Sequence, residues 1–140
     1  MDQLVPVLFP LRRVAHPKGD VMHGMKVSDP GFAGFGEAYF TTIIAGETKG
    51  WKKHTAMVMN LLVPCGEVAF FVHEPASGVT TRFTVGSGNY ARLCVPPGYW
   101  VAFRGLADGL NLVCNLASME HDPLEAENAA LDAFPLEAAP

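Results

Sequence analysis

Lys49-Gly50-Trp51-Lys52-Lys53-His54 puts three ammonium groups, an indole and an imidazole into one short segment. Drawn out as a strand, it alternates, so Lys52 and His54 share one face while Trp51 and Lys53 share the other. An imidazole takes or gives a proton near neutral pH, and an ammonium beside it can hold an anion or an enolate oxygen. Burying two basic groups together is costly unless something anionic meets them. The pair therefore reads either as the wall of a pocket for an anionic guest or as a solvated strand end. Residue types alone leave both open. A lysine desolvated beside another cation can also lose its proton and serve as a base, so Lys52 and His54 both qualify for that role.

Other polar residues could join them. Tyr39 stands in a strand-like run expected to neighbour this segment and could supply a phenolic acid. Asn60, Asn111 and Asn115 interrupt apolar runs, and a buried asparagine must find partners. An inward set would line a polar pocket; outward placement is equally simple for Asn111. Glu37 reads equally as a pocket acid or an edge charge. Tyr90, Tyr99 and Trp100 could stack on a nucleotide base, although aromatics on short strands more often fill cores or interfaces. His16, His23, His73 and His121 lack ligand spacing, so no bound metal is expected.

These side chains need a scaffold. The 140 residues have the length of one domain, and 49% hydrophobic against 17% charged residues excludes a disordered chain. Ten basic and fourteen acidic side chains give a net charge of -4, a poor balance for nucleic acid or an anionic membrane. No apolar run approaches the roughly 18 residues of a membrane span. Asp2 before the first apolar stretch and Arg12-Arg13 after it are in the wrong order for a secretory signal. Three cysteines, Cys65, Cys94 and Cys114, are odd in number and lack metal-type spacing, which fits reduced thiols in the cytoplasm.

Strand-length runs rich in Val, Phe, Tyr, Thr and Leu cover 37–44, 57–63, 68–74, 80–85, 91–95, 100–104 and 110–117. Regular strand and turn spacing of this kind predicts an antiparallel sandwich or barrel. Pro97-Gly98 suits a type II turn, and Ser77-Gly78 a hairpin. In the tail, Asp122 can cap, Pro123 fits the first helical position and Glu125 occupies a capping-box position, so a short helix is expected over 124–133. The domain divides into an arm (1–33) that wraps the barrel or crosses to a partner subunit, a barrel (34–118) and a helical tail (119–140).

Several segments in order resemble the cupin-fold sugar-nucleotide enzymes typified by dTDP-4-dehydrorhamnose 3,5-epimerase, and more distantly the 3,4-ketoisomerases. They are Gly36-Glu37-Ala38-Tyr39-Phe40, the Lys49–His54 segment, Gly66-Glu67-Val68, Asn89 through Pro96-Pro97-Gly98-Tyr99-Trp100, and His121-Asp122-Pro123. The resemblance implies an all-β, cupin-like jelly roll that binds no cofactor. It acts as a homodimer on a nucleotide-linked 4-keto-6-deoxy sugar, in surface-polysaccharide or deoxysugar biosynthesis. The implied reaction is epimerisation by α-proton abstraction and reprotonation. The alternatives are a 3,4-ketoisomerase and a catalytically inactive sugar-nucleotide-binding cupin.

Carried over without gaps, the family's catalytic histidine falls on Lys52 and its second histidine on His54. A bulge of one or two residues instead makes His54 the base. The late-strand tyrosine falls near Cys114 or Asn115, neither of which is a phenol, and the supporting aspartate falls on Asp132. The expected site is therefore His54, Lys52, Tyr39 and Asp132 for the chemistry. Lys49, Glu37, Asn60, Asn115 and Arg92 are expected to hold the substrate.

Overall fold

The computed structural model describes residues 4–136; Asp2 and the last four residues of the tail lie outside them. The strands are β1 (Val7–Pro10), β2 (Arg13–Val14), β3 (Val21–Met22), β4 (Glu37–Thr42), β5 (Thr48–His54) and β6 (Met59–Cys65). They continue as β7 (Glu67–Glu74), β8 (Val79–Gly86), β9 (Ala91–Val95), β10 (Trp100–Gly105), β11 (Leu112–Ala117) and β12 (Ala126–Asn128). Two antiparallel five-stranded sheets face each other, in the orders β1-β9-β6-β11-β4 and β12-β5-β10-β7-β8. This is the all-β jelly roll expected of a cupin.

Alternation of side chains builds the interior. Met59, Leu61 and Val63 from β6, Leu93 and Val95 from β9, and Val113 from β11 meet Val68, Phe70 and Val72 from β7 and Val101 from β10. Burying side chains of this size contributes roughly 1.5–3 kcal/mol each. The turns follow their chemistry: Gly98 has φ +95° in the Pro97-Gly98 turn, and its amide donates 2.8 Å to the His54 carbonyl. That bond ties the end of β5 to the start of β10.

Within the arm, Val7–Pro10 joins the first sheet as an edge strand against β9. The tail does not form the expected helix. Asp122 does cap, accepting from the Leu124 amide at 3.0 Å, and Pro123 does begin a turn, but that turn is a 3-10 helix of three residues. Ala126–Asn128 then pair with His54–Lys52 and cover the open edge of β5. Pairing an exposed strand edge outweighs the weak helical preference of Leu124–Ala133.

Beyond β12 the tail straps the outer face of the second sheet. The buried Trp51 donates through Nε1 to the Leu131 carbonyl at 3.0 Å, and the Ala129 amide donates to the Trp51 carbonyl at 3.0 Å. Phe134 stacks on His73 at 4.1 Å and meets Trp51 and Trp100 at 5.4 and 5.3 Å. Among the described residues no helix is long and apolar enough to cross a membrane.

Candidate active site

A cavity of about 250 Å³ opens between the sheets. Its apolar floor is Met59, Leu61, Phe70, Val101, Phe103 and Val113, and its polar wall carries Lys49, Lys52, His54, Tyr39, Thr41 and Asn115. On β5, Lys52 and His54 face this cavity, while Trp51 and Lys53 face outward. Trp51 packs on Phe71 and Ala102, and Lys53 pairs with Glu127 at 3.1 Å.

Strict alternation would turn Lys49 away from Lys52, yet both line the cavity. The ladder with β10 explains it. Val101 pairs with Lys52 but Phe103 pairs with Lys49, so Gly50 and Trp51 together oppose Ala102. This β-bulge re-aims the strand and gathers two ammonium groups and an imidazole on one wall. Lys49 Nζ donates 2.8 Å to the Thr42 carbonyl and lies 5.8 Å from the Phe103 ring centre. Lys52 is exposed at the rim, whereas His54 is buried, with 4% of its surface accessible.

His54 is positioned by a residue the sequence reading missed. Its Nδ1 is hydrogen-bonded to Oε1 of Glu125, in the 3-10 turn of the tail. The other carboxylate oxygen, Oε2, accepts from the amides of Thr55, Ala56 and Met57 at 3.0, 2.9 and 3.0 Å. Burial pushes the Glu125 carboxyl up, but the His54 bond and the Ala56 and Met57 amides outweigh it and hold the group at about 2. An ionised carboxylate only accepts, so Nδ1 of His54 carries the proton. Nε2 is then the basic nitrogen. The missed signal was Glu125 itself, read as a capping acid; nothing local distinguishes a carboxylate that reaches back to its own helix from one that reaches across to β5.

Asp132, expected in this supporting role, is exposed in a second 3-10 turn and makes no such contact. Tyr39 does not neighbour β5 either: β4 pairs with β11 in the facing sheet, so Tyr39 and His54 line the cavity from opposite sheets. Asn115 lines the cavity, and its Nδ2 donates to the Tyr39 oxygen at 2.9 Å. Asn60 and Arg92, expected at the substrate, lie on the opposite face of the first sheet. There Arg92 donates to Asn60 Oδ1 and, at 2.7 Å, to the Pro30 carbonyl, and its guanidinium sits 4.8 Å over Phe9. They anchor the arm to the sheet. Glu37 accepts from the His121 amide at 2.9 Å and does not line the cavity. Asn111 points inward as a buried bracket between loops, donating to the Ile43 and Ala107 carbonyls. Tyr90 and Tyr99 donate to the carbonyls of His23 and Leu4, and Trp100 packs on Phe134; none lines the cavity. Among the described residues no group of three or more His, Cys, Asp or Glu side chains converges where a metal ion could sit.

No protein-family model matches the chain, and no curated protein matches it by sequence. Among solved structures, a dTDP sugar isomerase from Desulfovibrio desulfuricans G20 superimposes with a TM-score of 0.87 at 32% identity, covering 91% of this chain and 85% of that one. A 4-keto-6-deoxy sugar epimerase from the novobiocin biosynthetic gene cluster of Streptomyces spheroides follows at 0.79 and 15% identity, covering 89% of this chain and 69% of that one. A sugar 3,4-ketoisomerase from Thermoanaerobacterium thermosaccharolyticum, solved with TDP, gives 0.75 at 18% identity and coverages of 89% and 88%. The last two share the fold; the first is close enough in sequence to show kinship. The chain belongs to the cupin-fold family of dTDP-sugar isomerases and epimerases.

Proposed function

We propose that the protein epimerises a dTDP-linked 4-keto-6-deoxy sugar at a carbon beside the ketone. The observation that carries this reading is that His54 and Tyr39 enter one cavity from facing sheets. Epimerisation needs a base on one face of the sugar and an acid on the other, and this placement supplies them. Nε2 of His54 takes the α-proton, and the C–H electron pair passes into an enolate. Glu125 holds Nδ1–H and stabilises the imidazolium. Lys52 offers a cation to the enolate oxygen, and Lys49 with Lys52 attracts the diphosphate. Tyr39 returns a proton to the opposite face. The six apolar floor residues suit a deoxygenated sugar edge, and no step draws on a cofactor.

A second reading is 3,4-ketoisomerisation through the same enediolate. The specific observation in its favour is that the phenol comes from β4, while the position near Cys114 or Asn115, where the epimerase resemblance places its tyrosine, holds no phenol. Proton NMR of the product decides: an inverted centre beside an unmoved ketone supports epimerisation, a ketone moved by one carbon supports the second reading, and an unchanged sugar contradicts both.

The working unit we infer is a homodimer in the cytoplasm. Support comes from β4, an open edge strand whose Phe40 is 65% exposed, and from the three free thiols. Light scattering at a single-chain mass would contradict the dimer.

A further inference from the structure

Asn115 sits between two groups that fix which way its amide points. Its Oδ1 accepts from the backbone amide of Asn60 at 3.2 Å, and a backbone N–H can only donate. The Nδ2 end must therefore face Tyr39, to whose oxygen it donates at 2.9 Å, and Met57, whose Sδ lies at 3.7 Å. Because Asn115 donates to the phenol, the phenol cannot donate back to Asn115. Among the described residues the Tyr39 hydroxyl makes no other hydrogen bond, and Tyr39 lines the cavity. Met57 in turn donates through its amide to Glu125 Oε2, so one chain of contacts runs from the phenol to the carboxylate behind His54.

We propose that Asn115 is a positioning residue that sets the polarity of Tyr39, obliging the phenol to present its proton to the substrate. This rests on the reading of Tyr39 as the acid. As the enolate is protonated, the Tyr39 O–H bond breaks and a C–H bond forms. The Asn115 N–H meets the charge left on the phenolate until solvent returns the proton. A donor already in place at a developing charge needs no rearrangement during the step.

Asn115→Asp tests the polarity in a nearly isosteric side chain. The carboxylate still accepts from the Asn60 amide but cannot donate to Tyr39; it takes the phenolic hydrogen instead. With dTDP-4-keto-6-deoxyglucose in D₂O, product formation should fall about 100-fold, the scale of a misdirected general acid. Deuterium wash-in at the carbon beside the ketone needs His54 and enolate formation but not Tyr39 and should fall much less, so wash-in per product rises at least about tenfold. A merely structural role would lower both together, and an unchanged ratio overturns the proposal. Independently of that variant, the Asn115 side-chain amide resonances should shift in Tyr39→Phe; their staying put also overturns it. Tyr39→Phe separates the inference from its foundation. If it makes product at the native rate, the phenol is not the acid and the inference falls with it. If Tyr39→Phe loses product but keeps wash-in while Asn115→Asp keeps the native ratio, only the role of Asn115 is lost.

Discussion

His54 and Glu125, 71 residues apart in the chain, share a buried hydrogen bond that joins the cavity wall to the tail. The carboxylate is gripped on its far side by three consecutive amides of the turn after β5. Imidazole, turn and tail are thereby one unit, and the tail forms part of the cavity's support rather than an appendage.

Glu125→Gln removes the charge but keeps the size. If its amide nitrogen faces His54, the imidazole must shift its proton to Nε2 and lose the base there; if it faces the three backbone donors, those are left unsatisfied. Turnover should fall by about 10²-fold or more, as general-base catalysis weakens. The midpoint of urea unfolding should drop by the equivalent of about 1–3 kcal/mol, the cost of an unpaired buried group. Unchanged turnover would remove Glu125 from the mechanism.

Acid stability should carry the signature of two groups. Glu125 sits at about 2 when folded, against the ordinary 4.5. The unfolded chain therefore binds this proton first, and the stability it contributes is complete above about pH 5 and drains as pH falls from 4.5 toward 2. The whole interval is worth up to about 3 kcal/mol. Burial under the tail pushes the His73 imidazole below its ordinary 6.5, so here too the unfolded chain is protonated first and stability begins to fall below that pH. Denaturation midpoints measured from pH 8 to 3 should show both losses, and Glu125→Gln should flatten the lower one.

Much of this was legible in the chain. Strand runs and turn residues placed the barrel, because period-two alternation and Pro-Gly chemistry are local. The facing of Lys52 and His54 followed from the same alternation. What failed was non-local. Whether Arg92 and Asn60 face the cavity depends on which sheet face the arm covers, and residue type does not encode that. Glu125 looked like a cap because capping and cross-chain bonding call for the same acid. The tail looked helical because its propensity is helical, while the edge of β5 that captures it lies some 70 residues upstream.

The two cavity lysines should separate by kinetics. Lys49→Met should raise KM for the dTDP sugar about tenfold with little change in kcat, the effect of losing one cation–phosphate contact worth about 1.4 kcal/mol. Lys52→Met should slow deuterium wash-in and turnover together without abolishing either, because the enolate that Lys52 stabilises precedes both. Complete loss of wash-in in Lys52→Met would make the lysine, not His54, the base.

Phe134→Ala should loosen the strap. Its ring stacks on His73 and touches Trp51 and Trp100, so truncation should cost about 2–4 kcal/mol in chemical denaturation. Turnover should fall with it, since the same strap carries Glu125. Native stability would show that the strap is held by its backbone bonds alone.

The most direct test of the account follows deuterium into dTDP-4-keto-6-deoxyglucose in D₂O, comparing the native protein with His54→Asn. The native protein should label the carbon next to the ketone, and His54→Asn should reduce the rate by about 10³-fold or more, the scale of a lost general base. Equal labelling by both proteins, or none by the native one, would contradict the assignment of this cavity to proton transfer beside a ketone.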